Sequence, residues 1–268
     1  MRSKFINQET RYAAIGLTIL LSAALSLPAH ASGAGRFDAG YSALLRQDHD
    51  KAITRFTDAI ATGDLPQKWL ALAYHYRGAE YLQTGHDDEA IADFDRALAL
   101  NPSLSTAYND RAIAFRRKGE FTRAVADYSE AIRLTPRVHS FYLNRGLAYA
   151  KNGQTQNAVD DFQLALHYKP DSVPAFVALG DAHMQQERKT EALADYRQAM
   201  RHKGDLLKVY PWVGPKLVAL GAMPPTNVIV GVATSAAKIA VVEAAPAAKA
   251  AIPGATPAGT MIVLNDTP

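Results

Sequence analysis

Few residues in this chain are of the types and at the spacings that catalysis or metal binding requires. The sequence contains no cysteine, no glycine-rich phosphate loop, no His-Glu-x-x-His helix and no nucleophile elbow. The histidines that follow the N-terminal segment do not pair at the spacings of metal ligands. We therefore expect no catalytic residue, no metal site and no cofactor.

The densest group of ionisable side chains is His86-Asp87-Asp88-Glu89. It could form a metal or acid–base cluster, because imidazole and carboxylate groups bind metals and carry protons in such sites. Alternatively, three consecutive acidic residues begin a helix, where negative charge offsets the exposed N–H groups and the helix dipole. We favour the second interpretation.

Three arginines are each followed, 16 residues later, by an aspartate. The pairs are Arg77 and Asp93, Arg111 and Asp127, and Arg145 and Asp161. Antiparallel helices joined by a tight turn would bring each arginine close to an aspartate, so we predict ion pairs within or between neighbouring units. Partly exposed pairs contribute roughly 0–1 kcal/mol, so their role would be to hold helix orientation. A fourth copy departs from the pattern, with Leu179 in the arginine position and Asp195 retained.

These pairs belong to a larger pattern, because the same residue types return every 34 positions between about residue 71 and residue 206. The recurring sets include Gly78, Ala112, Gly146 and Gly180; Ala90, Ala124, Ala158 and Ala192; Phe94, Tyr128, Phe162 and Tyr196; and Pro102, Pro136 and Pro170. A fixed period of this size indicates stacked units that bury their apolar faces against their neighbours.

The pattern of each unit predicts two amphipathic helices joined by a turn. In the copy that begins at His139, apolar residues recur at helical spacing on both sides of Gly153. Glycine at that point suits a chain reversal, because it tolerates a positive φ. Pro170 follows the second stripe and cannot continue a helix.

The spacing Tyr142-x-x-Arg145-Gly146-x-x-Tyr149, followed by Ala158-x-x-x-Phe162 and Pro170, resembles the tetratricopeptide repeat. Four copies agree in register, at residues 71–104, 105–138, 139–172 and 173–206, and a degenerate copy at 33–70 precedes them. The resemblance implies an all-α fold, an α-solenoid of helix-turn-helix repeats whose first helices line a concave groove. A short capping helix is predicted at 207–221. The degenerate copy is longer by four residues, which we place in the loop at 62–67.

The resemblance also implies which side chains face the groove. The matching positions are His75, Gln83, Asn109, Asp110, Arg116, Arg117, Asn144, Lys151, Asp181 and Gln185. Arg116, Arg117 and Lys151 would form a basic cluster that binds an acidic peptide or its terminal carboxylate through charge-assisted hydrogen bonds. Alternatively, these cations belong to ordinary helix ends, where the dipole favours positive charge. The lysine and asparagine pattern by which some relatives bind the C-terminal peptides of chaperones is absent.

Residues 1–31 have the composition of a signal peptide. Three basic residues, an uncharged run at 13–27 and the small-x-small sequence Ala29-His30-Ala31 follow one another. The run is shorter than the roughly 20 residues of a membrane span, so we predict cleavage, with an uncleaved anchor as the alternative. Without this segment 26 basic and 25 acidic residues remain (29 minus 3, and 26 minus 1), which does not favour nucleic acid as a partner.

Residues 222–268 are rich in alanine and proline and carry few charges. Such a composition predicts a flexible or extended tail, and its apolar stretch is too short to form a stable membrane span.

Together these observations predict a non-enzymatic interaction scaffold or adaptor, periplasmic or secreted, that binds a peptide or protein partner in the groove. Two alternatives remain open. The chain could be an accessory subunit of an envelope enzyme, such as a glycosyltransferase, or of export machinery. It could also be a glycan-binding or peptidoglycan-binding module that uses the aromatic rings of Tyr74, Tyr108 and Tyr142.

Overall fold

The computed structural model describes residues 32–223, and in this range the chain is entirely helical apart from its connections. The predicted signal peptide at 1–31 and all but the first two residues of the predicted tail at 222–268 lie outside the described residues. The described helices are α1 Gly33–Leu45, α2 His49–Ala61, α3 Gln67–Gln83, α4 Asp87–Leu100, α5 Ser105–Arg117, α6 Phe121–Leu134, α7 His139–Lys151, α8 Thr155–Tyr168, α9 Val173–Gln185, α10 Lys189–His202, α11 Leu206–Val209 and α12 Val213–Ala219.

The described residues divide into two compact units, 32–114 and 115–223, with the division inside α5. Unit 1 contains α1 to α4 and most of α5, and unit 2 contains α6 to α12. Each odd-numbered helix from α1 to α9 is the first helix of a pair, and the next helix is the second. This arrangement is the all-α, α-solenoid class that the 34-residue period predicts.

The regular pairs follow the sequence period closely. The first helices α5, α7 and α9 begin at Ser105, His139 and Val173, which are the first residues of three predicted repeats. Four-residue loops at 101–104, 135–138 and 169–172 separate successive pairs, and each loop contains one of the recurring prolines. Since proline lacks the N–H that a helix interior needs, it ends the second helix at the same place in each copy.

The extra four residues of the first copy lie in α3 and not in the preceding loop, so that prediction was wrong. Helix α3 begins at Gln67, 11 residues before Gly78, whereas α7 begins 7 residues before Gly146. The added turn is stabilised by packing, because the Trp69 ring lies 5.1 Å from the Phe37 ring in an edge-on arrangement. An amphipathic turn that finds such a partner remains helical.

Small residues allow the two helices of a pair to approach closely. A Cβ atom added to Gly146 would lie 2.5 Å from Cε1 of Phe162, a separation that real side chains do not reach. The Phe162 ring is buried against the glycine backbone and fills the space beside it. The recurrence of glycine or alanine at this position therefore follows from the helix separation.

The turn inside each pair uses a left-handed residue even where the sequence lacks glycine. Gly85, Gly119 and Gly153 have φ values of 84°, 77° and 74°. At the equivalent places in the first and last pairs, Gln47 and Glu187 both have φ of 59°. The turn geometry is thus set by the packing of the two helices, and two copies tolerate a side chain in a region that disfavours it.

At the C-terminal end of unit 2, the region of the predicted capping helix at 207–221 contains two short helices. Helix α11 is a single turn, and α12 starts after Pro211. Leu206, Tyr210, Val213 and Leu217 are buried against the last regular pair, where Tyr196 is also buried. None of the helices in residues 32–223 has both the length and the apolar character needed to cross a bilayer.

Candidate partner-binding surface

The first helices are held in place by bidentate ion pairs at the predicted 16-residue spacing. In unit 1, Arg77 Nε and Nη2 each lie 2.7 Å from a carboxylate oxygen of Asp93. In unit 2, Arg145 Nε and Nη2 each lie 2.8 Å from a carboxylate oxygen of Asp161. These two predicted pairs are confirmed, and each one joins the first helix of a repeat to its own second helix.

A third nitrogen of each arginine reaches the preceding repeat. Arg77 Nη1 donates to Thr57 Oγ1 at 2.9 Å, and Arg145 Nη1 donates to Ser129 Oγ at 3.0 Å. Within unit 1, Arg111 Nη1 makes the corresponding contact with Asp95 Oδ1 at 2.6 Å. One guanidinium therefore links three helices, which fixes the orientation of the first helix relative to both neighbours.

Tyrosine rings cover the faces of these guanidinium groups. The Arg77 Cζ atom lies 5.6 Å from the Tyr74 ring centroid and 5.9 Å from that of Tyr81. Arg145 is placed in the same way between Tyr142 and Tyr149, at 5.9 and 5.8 Å. These distances are within the range of favourable cation–π contacts, so the rings belong to the packing of the repeat.

The last repeat replaces this arrangement with a different one. His183 occupies the position of Tyr149, one repeat later, and its Nδ1 lies 2.7 Å from Asp195 Oδ2. Burial raises the pKa of Asp195, and the hydrogen bond from His183 opposes that rise. The last repeat has Leu179 in place of the arginine and His183 in place of the tyrosine. The two changes belong together, because His183 supplies the contact to the half-buried carboxylate of Asp195 that the arginine makes in the other repeats.

Unit 1 contains four of the side chains that the sequence predicts for the groove, and three of them are buried. His75 has 1% of its surface exposed, and its Nε2 lies 2.9 Å from Asp110 Oδ2. Asn109 Nδ2 donates to the other oxygen of Asp110 at 3.0 Å. These three residues join neighbouring first helices of unit 1 and are buried there, whereas the sequence predicts them at the surface of the groove. Gln83, by contrast, is exposed.

Unit 2 contains the other six predicted groove residues. Lys151 and Gln185 are exposed and Arg117 is half-buried, whereas Arg116 and Asn144 are buried. The Thr155 hydroxyl lies 3.4 Å from Gln185 Oε1, a long contact between neighbouring pairs.

Asp181 is half-buried, and its charge is already balanced inside unit 2. Its Oδ1 accepts hydrogen bonds from the Tyr196 hydroxyl at 2.5 Å and from Lys216 Nζ at 2.8 Å. Lys216 lies in α12, whose position only the structure shows, so sequence reasoning had no signal for this ion pair. Asp181 therefore anchors the C-terminal end of unit 2 rather than offering an unpaired carboxylate.

A buried carboxylate also joins the first two pairs in unit 1. His49 Nδ1 lies 2.6 Å from Oε2 of Glu80, whose side chain is almost fully buried. Burial raises the pKa of Glu80, and the hydrogen bond from His49 partly offsets the rise.

The residues that remain at the surface form a consistent set. In unit 2, Arg117, Lys151 and Gln185 occupy the same place in three successive repeats, at the end of each first helix, and all three are exposed or half-buried. We call these three residues the helix-end set. Within residues 32–223, no three His, Cys, Asp or Glu side chains are grouped in a way that could hold a metal ion.

Comparisons with known proteins agree with this architecture. The family model described as tetratricopeptide repeat matches residues 77–139, 109–173 and 143–203. A search of curated proteins found no significant match.

Several solved structures are similar in fold. A crystal structure of the MamA protein has 20% sequence identity and a TM-score of 0.58, covering 66% of this chain and 94% of MamA. MamA from Desulfovibrio magneticus RS-1 has 16% identity and a TM-score of 0.59, with coverage of 64% and 94%. YrrB has 17% identity and a TM-score of 0.55, with coverage of 64% and 86%. Likeness at these identities concerns the fold alone. Because the family model, the 34-residue register and the helix pairs agree, the helix pairs within residues 77–203 belong to the tetratricopeptide repeat family.

Proposed function

We propose that this chain is an interaction scaffold that binds a peptide or protein partner through the surface of its first helices, without catalysing a reaction. The observation that carries the proposal is the helix-end set. At one place in three consecutive repeats of unit 2, the chain presents side chains of differing chemistry, Arg117, Lys151 and Gln185.

The rest of each repeat contrasts with these positions. The recurring alanines and aromatic rings of the second helices are buried in both units, and they vary little in size from one repeat to the next. A surface in which the scaffold repeats and the exposed side chains differ can recognise an extended partner residue by residue. One of the similar structures, YrrB, is a tetratricopeptide repeat protein with an unusual peptide-binding site. That similarity supports peptide binding as the working function.

The contacts of the tyrosine rings argue against the alternative of glycan binding. Tyr74, Tyr108 and Tyr142 would have to offer a free ring face to a sugar. Each ring instead has an arginine guanidinium near its face, at 5.6, 5.6 and 5.9 Å from the centroid. We therefore favour a protein or peptide over a glycan as the partner.

We also propose that the partner is acidic and that the chain works in the cell envelope, in the periplasm or after secretion. The helix-end set contains two cations and no acidic residue. The location rests on the composition of residues 1–31, whose basic start, uncharged run and Ala29-His30-Ala31 sequence are typical of a cleaved signal. Cell fractionation and N-terminal sequencing check the location. A product that begins at Ser32 outside the cytoplasm is expected, and a cytoplasmic product that retains residue 1 would contradict it.

The partner-binding proposal is tested by capture followed by reconstitution. Proteins from envelope extract that co-purify with the chain are identified, purified separately and titrated into it by calorimetry. The variant Lys151→Ala/Gln185→Ala removes two members of the helix-end set. The matched control is Gln163→Ala/Arg197→Ala, because these two residues are exposed on second helices.

The first variant should weaken binding of the purified partner at least about tenfold, since several exposed contacts act together. The control should leave the dissociation constant within about twofold of the original value. Equal loss in both variants, or loss in the control alone, would move the binding surface away from the first helices. Turnover of a substrate by the purified chain would contradict the scaffold role.

A further inference from the structure

Helix α12 ends in a turn of the kind that joins the two helices of a regular pair. Gly221 has a φ of 67°, in the left-handed region, and the N–H of Ala222 donates to the carbonyl oxygen of Leu217 at 2.8 Å. The pair α7 and α8 has the same turn, with a φ of 74° at Gly153 and a 2.9 Å hydrogen bond from the next N–H to the carbonyl oxygen of Tyr149. Because this turn reverses the chain in the regular pair, it directs the chain after Gly221 back along α12.

The described residues do not fill the place that a second helix would take beside α12. In the regular pairs, a Cβ atom added to Gly146 or Gly180 would lie 2.5 or 2.7 Å from an aromatic ring of the second helix. Gly214 precedes its turn by seven residues, as Gly146 does, yet the nearest described atom outside its immediate neighbours is Cδ2 of Leu207, 4.0 Å from an added Cβ. Val218 on the same helix is only half-buried. Within residues 32–223, α12 is therefore a first helix without a second one.

The sequence that follows the turn has side chains suited to this place. In the pairs α7 and α8 and α9 and α10, an aromatic residue comes 16 positions after the glycine and a buried alanine comes 19 positions after it. Counted from Gly214, these positions are Val230 and Ala233. Residues 226–237 contain no charged side chain, so their burial against α12 would not remove a charge from water.

From these observations we propose that residues 226–237 of the same chain dock on α12, with Val230 over Gly214, and complete a sixth pair at the end of unit 2. The turn at Gly221 points the chain along α12, and the segment begins three residues after Met223, so its effective concentration at this surface is high. Docking removes apolar surface of α12 from water and covers this end of unit 2 against other molecules. It goes beyond partner binding by the helix-end set and does not depend on it.

The first test measures amide hydrogen exchange of α12 in the full chain. Val230→Asp places a charge where the segment should meet Gly214, and Val263→Asp makes the same change outside the segment. Exchange in α12 should be at least about tenfold faster in Val230→Asp and within about twofold of the original in Val263→Asp, with α8 unchanged in both. Unchanged α12 exchange in Val230→Asp, whether or not an added partner slows it, would overturn the proposal, because α12 would then be bare or covered by another molecule.

A gain-of-contact variant tests the register of the segment. Val230→Phe supplies the ring type that the regular pairs place against their glycine, and it should slow α12 exchange several-fold relative to the original chain. Exchange faster than in the original chain would mean that another residue of the segment lies over Gly214, and the register assigned to Val230 would be wrong.

The last test asks whether the segment comes from the same chain or from a second copy. Because the sequence has no cysteine, Ser235→Cys gives a single site for a nitroxide label within the segment. When the label and ¹⁵N are in one chain, the amide resonances of α12 should lose more than half of their intensity, and Val230→Asp should restore most of it. In an equal mixture of labelled chain without ¹⁵N and ¹⁵N chain without label, no loss is expected. Loss of intensity in the mixture would make a second copy the source of the segment and overturn docking within one chain.

Discussion

Replacing Arg145 by leucine should strongly destabilise unit 2, because it leaves the carboxylate of Asp161 buried without its partner. The Asp161 side chain is 4% exposed and accepts two hydrogen bonds from Arg145 at 2.8 Å each. Leucine is a fair test residue, because the chain itself has Leu179 at the equivalent position of the next repeat.

The size of the effect follows from the geometry. Removing one partner of a buried ion pair typically costs about 3–5 kcal/mol, since the remaining charge is uncompensated. Arg145 retains 18% side-chain exposure, so water can partly replace it after the change. We therefore expect a loss near the lower limit, about 3 kcal/mol in the free energy of unfolding. The lost hydrogen bond to Ser129 of the preceding repeat is included in that value.

A second change should restore part of the lost stability. Tyr149→His, added to Arg145→Leu, recreates the arrangement of the last repeat, in which His183 Nδ1 lies 2.7 Å from Oδ2 of the half-buried Asp195. A hydrogen bond to a charged group contributes about 1.5–3 kcal/mol, so the double variant should be more stable than Arg145→Leu by roughly that amount. Tyr149→His alone should be destabilising, because the ring that covers the guanidinium of Arg145 is lost.

The assay is urea unfolding of the four proteins of this double-mutant cycle, followed by tryptophan fluorescence. The chain has two tryptophans, Trp69 in unit 1 and Trp212 in unit 2. Removing either one by a Phe substitution makes the remaining signal specific for one unit. The midpoint reported by Trp212 should fall in Arg145→Leu more than the midpoint reported by Trp69.

Two results would refute this reasoning. A loss below about 1 kcal/mol for Arg145→Leu would show that the pair behaves like an exposed one and does not control the orientation of the first helix. Additivity of the two single changes would show that the histidine in the last repeat does not compensate for the missing arginine.

Three further changes test other parts of the structure. Gly146→Ala should cost about 1–3 kcal/mol, because its Cβ would overlap the aromatic ring of the second helix. Glu187→Gly should increase stability by up to about 1 kcal/mol, since φ is 59° at this residue. For Glu80, burial raises the pKa above its ordinary value, so the folded chain binds a proton there more tightly than the unfolded chain does. The stability of the original chain relative to Glu80→Gln should therefore rise as pH falls from about 7 to about 5.

Each of these changes has a control or a contradicting outcome. Gly204→Ala is the control for overpacking, because no atom outside its immediate neighbours lies within 4 Å of an added Cβ; a cost equal to that of Gly146→Ala would contradict the explanation. A lower urea midpoint for Glu187→Gly would mean that contacts of the Glu187 side chain stabilise the turn by more than the positive φ of this residue destabilises it. For Glu80, the prediction would be contradicted if the stability of the original chain relative to Glu80→Gln fell or stayed constant as pH decreases.

Much of the fold could be predicted because the same residue types occupy the same packing positions in each repeat. The spacing from Gly146 to Phe162 indicates both a close helix crossing and the ring that fills it, and the structure has that contact. The 16-residue spacing of Arg145 and Asp161 was enough to predict an ion pair. Local patterns of this kind are reliable when every copy must satisfy the same geometry.

The candidate site was less predictable, because exposure depends on what lies opposite a side chain. His75 and Asp110 occupy places that suggest a polar groove surface, yet they bond to each other between neighbouring first helices and are buried. The sequence of one repeat does not show whether a side chain of the next repeat is long enough to reach and cover its polar residues. The same reason applies to Asp181, whose partner Lys216 lies 35 residues away in α12.

By itself the sequence determined the helix pairs, their register and the family, because these follow from residue types at short, repeated spacings. Tertiary structure decided which polar groups face water, since burial is a property of neighbouring helices and not of a spacing. It placed the four extra residues of the first copy in a helical turn that packs through Trp69 against Phe37, and it made His183 the partner of Asp195. Hydrophobic periodicity acts over a few residues, whereas the pairing of buried charges is settled only when the helices meet.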